Sequence, residues 1–239
     1  LKLDYINNDL SISNIVGTVG GSPGIAGSNN RALNIDLIKL TGAPAIDFDY
    51  SSGIISDITL AGNGFGTAII SHHGRYSDSL RLHRLDITNY AVGIDLHADG
   101  PDTASPLTVN NAIISASTSL SIEDYPMQIT NADITGDAEI SGAINVDFID
   151  SQVTPQVSIY DGASVSFYQT IEFLANYLDI VKPTKFDISV MYSNGTTDIF
   201  QIEDTMGELS VKLATRYAQP SFDVTLQSIE IIAASVGHP

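Results

Sequence analysis

Residues 107–136, LTVNNAIISASTSLSIEDYPMQITNADITG, contain one ten-residue pattern twice: LTVNNAIISA from Leu107 and MQITNADITG from Met127. In both copies positions 1, 3, 6 and 8 are apolar: Leu107, Val109, Ala112 and Ile114, then Met127, Ile129, Ala132 and Ile134. Apolar residues two apart describe a strand with one buried face. The step from position 3 to position 6 breaks that period. A corner between two short strands explains the break, provided both strands keep their apolar sides inward. Between the copies, SLSIE at 119–123 supplies a third period-two segment through Leu120 and Ile122. Three short strands and a return make one coil of a solenoid.

The pattern extends in both directions. LSISNIVGTV from Leu10, LNIDLIKLTG from Leu33, GIISDITLAG from Gly53, LRLHRLDITN from Leu80 and INVDFIDSQV from Ile144 complete a set of seven. Position 3 is always aliphatic: Ile12, Ile35, Ile55, Leu82, Val109, Ile129 and Val146. Third strands follow as AIDFD at 45–49, TAIIS at 67–71, GIDLH at 93–97, AEIS at 138–141 and QVSIY at 156–160. The starts differ by 23, 20, 27, 27, 20 and 17 residues. Such variable spacing excludes the fixed four-stranded blades of a propeller and suits coils whose loops bulge from one corner. About seven coils are expected.

Totals agree with a folded chain. Of 239 residues, 43% are hydrophobic and 16% charged, against the composition of a disordered tail. Ten Lys+Arg against 28 Asp+Glu give a net charge of −18, which repels phosphate backbones and anionic lipid; nucleic acid is not an expected partner. With no cysteine, disulfides and thiolate metal sites are excluded. No stretch approaches the roughly 20 apolar residues that span a bilayer. Starting at Leu1 without a signal peptide, the sequence reads as a piece of a longer precursor.

Residues 3–160 resemble the right-handed parallel β-helix of the pectin-lyase-like superfamily, with three parallel strands per coil. Asn111 and Asn131 both occupy position 5, where such folds stack asparagines in a tight corner. From Ser166 the pattern changes. Ile171, Leu174, Ala175 and Leu178 recur at helical spacing, predicting a helix over 168–181 that covers the solenoid end. FDISVMY and TDIFQI flank Asn194-Gly195, a hairpin signal, and ELSVKLA and FDVTLQSIEII read as further strands. The expected organisation is an all-β chain: a parallel β-helix over 1–165, then a capping helix and a small antiparallel β-sandwich over 166–239.

Chemistry-bearing residues crowd into 72–102, where His72, His73, His83 and His97 lie among Arg75, Arg81, Arg84, Asp95, Asp99 and Asp102. Aligning Gly74 with Gly100 sets Ser71 beside His97 and His73 beside Asp99 on neighbouring coils, roughly 4.8 Å apart. The resemblance implies lyases with an Arg or Lys base and bound Ca²⁺, or hydrolases with clustered aspartates. On this chain Arg75, Arg81 or Arg84 would be the base, beside His73, Asp95, His97 and Asp99. Surface charge on two long loops explains the same cluster. His72-His73 with His83 or His97 could hold a metal, although the spacing matches no helix-borne zinc motif. Asp47 and Asp49 alternate along a strand, so both face outward and could collect Ca²⁺ through oxygen ligands, as could Asp99 and Asp102. No cofactor is required by any motif.

Two classes of function fit these features. One is a non-catalytic extracellular module of a cell-surface, virion, fibre or matrix protein, with a rigid β-helix and a C-terminal docking domain, partnered by its own copies or by other surface proteins. The other is a polysaccharide lyase or glycoside hydrolase acting on acidic polysaccharide. The C-terminal strands also suit a carbohydrate-binding role, with Tyr192 and Tyr217 as sugar contacts. Asn194-Gly195-Thr196 is a glycosylation sequon as well as a turn.

Overall fold

The structure is a computed structural model that describes residues 1–4, 10–73, 80–98, 106–154, 156–174, 185–203 and 208–234. Every regular element among these residues is a strand. The solenoid is formed by β1 (Lys2–Asp4), β2 (Leu10–Thr18), β3 (Ile25–Ser28), β4 (Leu33–Thr41), β5 (Ile46–Asp49), β6 (Gly53–Ala61) and β7 (Thr67–His73). It continues through β8 (Leu80–Ala98), β9 (Leu107–Glu123), β10 (Met127–Ser141), β11 (Asn145–Ile149), β12 (Gln152–Thr154) and β13 (Val157–Ile159). Pairing throughout is parallel, in about six turns. About six turns stand where seven coils are expected.

Register gives each position of the ten-residue pattern its own column. Leu10, Leu33, Gly53, Leu80, Leu107 and Met127 stack in the first ladder, and Ile15, Ile38, Ile58, Leu85, Ala112 and Ala132 in the second. The third ladder stacks Ile25, Ile46, Ile69, Ile94, Leu120, Ala138 and Val157. Inward columns are almost fully buried except in the terminal coils, where Leu10, Ile15 and Val157 are half-buried, and they merge into one core running the length of the stack. The seventh segment needs a correction. Met127 pairs with Val146 and Ile129 with Phe148, so the repeat restarts at 146, not 144. Phe148 then fills position 3, and Ser151 replaces the apolar residue at position 6, where its hydroxyl accepts the Ala132 N–H at 3.1 Å.

The break between positions 3 and 6 is a left-handed residue at position 5. Asn14, Leu37, Asp57, Arg84, Asn111, Asn131 and Asp150 all hold φ between 49° and 61°. Asn and Asp tolerate this region because their short polar side chains bond locally. The Asn131 amide donates to Asn111 Oδ1 at 3.4 Å, forming the expected asparagine stack.

The expected helix over 168–181 is not seen in its described part. Residues 164–174 form β14 (Ser164–Leu174), and 175–184 lie outside the described residues. Two forces outweigh the helical spacing. SVSFYQTIEFL is rich in β-branched and aromatic residues, and the last solenoid rung presents an open strand edge. β14 pairs in parallel with β11 through Ser164–Tyr168, then runs antiparallel to β17 (Glu208–Gln219). The solenoid edge is therefore closed by strand pairing. β15 (Lys185–Tyr192) and β16 (Thr197–Glu203) form the expected hairpin, with Gly195 at φ 82° in its turn. β18 (Phe222–Ala234) pairs with β17 up to Thr225 and with β15 from Leu226. Ile188, Val190, Tyr192, Leu213 and Val224 make a second, smaller apolar cluster there. No helix among the described residues is long and apolar enough to cross a membrane.

Candidate functional site

Ionisable side chains of the third ladder stand in two outward columns, because inward positions are taken by Ile46, Phe48, Ile69, Ile94, Leu96, Leu120 and Ile122. One column reads Asp4, Ser28, Asp49, His72, His97, Glu123 and Ser141 on successive coils. The other reads Ala26, Asp47, Ile70, Asp95, Ser121, Glu139 and Ser158. His72 Nδ1 lies 2.6 Å from Asp49 Oδ1, and His97 Nδ1 lies 2.8 Å from Glu123 Oε2. The two imidazoles meet edge to face, with centroids 5.9 Å apart. Two carboxylate–imidazole pairs thus stand back to back across four coils.

Asp47 joins this group from the adjacent column. Its ligand oxygen, one from Asp49 and a ring nitrogen of His72 all lie within 4.8 Å of one another. Burial pushes the Asp47 carboxyl above its ordinary value; repulsion from Asp49 adds to this, and His72 opposes it. These three residues have the donor types of a metal centre.

The register here corrects an expectation. His72, not Ser71, pairs with His97, and His73 pairs with Ala98. Sliding the strand by one residue would turn buried Ser71 outward and His72 into the core, which the apolar interior forbids. Matching glycines across two loops was the wrong anchor. Counting from the first inward apolar residue works: Asp49, His72, His97 and Glu123 each lie three after Ile46, Ile69, Ile94 and Leu120. That count also finds Glu123, which sequence reasoning had left out.

The arginines lie elsewhere. Arg81 is exposed on the first ladder between Ile54 and Thr108. Arg84 sits at the left-handed corner and binds Asp57 of the preceding coil through both guanidinium and carboxylate forks, with Nη2 to Oδ2 at 2.6 Å. That contact holds Asp57 down to about 2. A shallow groove passes this pair, lined among others by Val16, Leu37, Ile113, Asn111 and Asn131. Asp95 is on the third ladder beside Ile70 and Ser121. Arg75, Asp99 and Asp102 lie outside the described residues. Tyr192 is only 9% exposed within the second apolar cluster. Tyr217 packs edge-on to Phe222, its hydroxyl accepting from the Gln219 amide at 2.8 Å.

Comparisons with protein-family profiles, curated proteins and solved structures found no match to this chain.

Proposed function

We propose that this chain is a non-catalytic structural or adhesive module of the extracellular space or of a cell or virion surface. In this reading the β-solenoid is right-handed, of the pectin-lyase-like kind, and serves as a rigid spacer. The region from about 166 onward is the docking part, meeting further copies, other surface or fibre proteins, or polysaccharide through residues such as Tyr217. The observation that carries the reading is that, among the described residues, the candidate groups an acidic-polysaccharide enzyme would need together stand apart. Arg84 is committed to Asp57 at one corner and Arg81 stands on the first ladder, whereas Asp95 and His97 stand on the third. General bases work within hydrogen-bond reach of a shared substrate. Met191 and Ile199 share one face of the β15–β16 hairpin and are 46% and 67% exposed, which suits docking.

The test is an ultraviolet assay for new unsaturated ends with a reducing-sugar assay, over uronate and neutral polysaccharides, with and without Ca²⁺. Silence across the panel is the expected result. Activity that disappears when Arg75, Arg81 and Arg84 are replaced would overturn the module and establish a lyase or hydrolase. Sedimentation over a range of concentrations then measures self-association.

A further inference from the structure

We infer that Asp47, Asp49 and His72 form a binding site for a divalent transition metal ion of the zinc type. The inference rests on geometry and donor chemistry and is independent of whether the chain is a module or an enzyme.

The three side chains are brought together by the regular part of the fold. Asp47 and Asp49 are two apart on β5, so the pleat points both the same way, and His72 is the rung partner of Asp49 on β7. Ile46, Phe48 and Ile69 lie beneath them at no more than 1% exposure and fix the backbone. Their ligand atoms already lie within 4.8 Å of one another. Tetrahedral zinc bound at about 2.0–2.2 Å to nitrogen and carboxylate oxygen needs only small rotations of partly exposed side chains to close on them.

The charges favour a cation. Asp47 and Asp49 repel each other, with Ala26 and Ile70 flanking Asp47 along its column and no Lys or Arg among the rung neighbours of either aspartate. A divalent ion between the carboxylates converts that repulsion into two attractions. The donors also choose the ion. Calcium takes six to eight oxygens, whereas an imidazole beside two carboxylates suits zinc and its neighbours in the first transition row. Asp47 and Asp49 alone would suit Ca²⁺, but His72 beside them favours a smaller, nitrogen-seeking metal. His97 supports the arrangement from the next coil. Its ring meets His72 edge-on while Glu123 anchors its own Nδ1, which restricts how the His72 ring can turn. Three protein ligands leave a fourth position for water or a donor from another molecule.

The experiment is calorimetric titration of the whole chain with zinc alone, and separately with calcium alone, at neutral pH. Wild type is expected to bind one zinc ion, with calcium failing to compete. Asp47→Asn, Asp49→Asn and His72→Ala should each weaken zinc at least about tenfold, His97→Ala should weaken it less, and His83→Ala on the first ladder should leave it unchanged. All these side chains face outward, so circular dichroism is expected to report an intact fold. Absence of zinc binding overturns the site. So does binding that survives His72→Ala, or that Asp47→Asn leaves unchanged while His97→Ala abolishes it, because the ion would then sit on other residues.

Discussion

At the corner between the first and second ladders each coil places one residue at positive φ, and the side chain there projects beside its equivalents above and below. Asparagine satisfies the backbone and can hydrogen-bond along the stack, as Asn111 and Asn131 do. Asp57 and Arg84 solve the same position with opposite charges instead. The Arg84 hydrogen bond holds the Asp57 carboxyl at about 2, below its ordinary 3.8, with Asp36 taking part. For a depressed carboxylate the contribution to stability is present above the unfolded value and disappears as pH falls through the folded one. The window therefore runs from about 4 down to about 2. Arg84→Gln is expected to return Asp57 to the ordinary carboxylate range, read by side-chain NMR titration. An Asp57 titration unchanged in the variant would show that the arginine is not what holds it.

At the scale of strands, the repeat invites an error that the backbone exposes. Position 1 is apolar in every coil except at Gly53, so the pattern suggests that Leu would serve better there. Gly53 has φ of 136°, and a β-carbon on it would clash with the Leu33 backbone of the coil below. Gly53→Leu is expected to lose stability, about 1–3 kcal/mol from backbone strain alone, measured by denaturant unfolding. A gain would mean that β6 can take the ordinary strand conformation at this point.

The same contrast explains what could be read beforehand. The solenoid strands were legible because burial alternates within a few residues, and six of the seven segment starts stack in the register the pattern implies. β14 was misread because helical and strand spacings coincide over short apolar runs, and the deciding influence, a free edge on β11, lies outside the segment. The carboxylate–histidine columns were hidden for a related reason. Their members are 23 to 26 residues apart, and only the inward parity of Ile69 and Ile94 fixes who meets whom.

For the whole molecule, the junction between the parallel stack and the antiparallel strands is a single continuous strand. Residues 165–168 of β14 belong to both, paired with β11 on one side and with β17 on the other. Phe167 stacks on Phe148 of the preceding rung with centroids 5.0 Å apart and planes 13° apart, and the Arg216 guanidinium lies over the Phe167 ring. Phe148→Ala and Phe167→Ala combined are expected to cost about 0.5–1.5 kcal/mol less than the sum of their separate costs, because each single change already removes the ring contact. Strict additivity in thermal unfolding would mean that the two rings do not act together across the junction.

The stacking register carries one more consequence. Each first-ladder rung pairs only with the coil before and the coil after it, 19 to 27 residues away, so cooperativity is passed from neighbour to neighbour. Folding can begin wherever two adjacent coils first meet and spread outward in both directions, without waiting for distant parts of the chain to find each other. A defect in β2, at the end of the stack, then costs one coil. The same defect in β8 divides the column into two shorter ones, each of which must nucleate by itself.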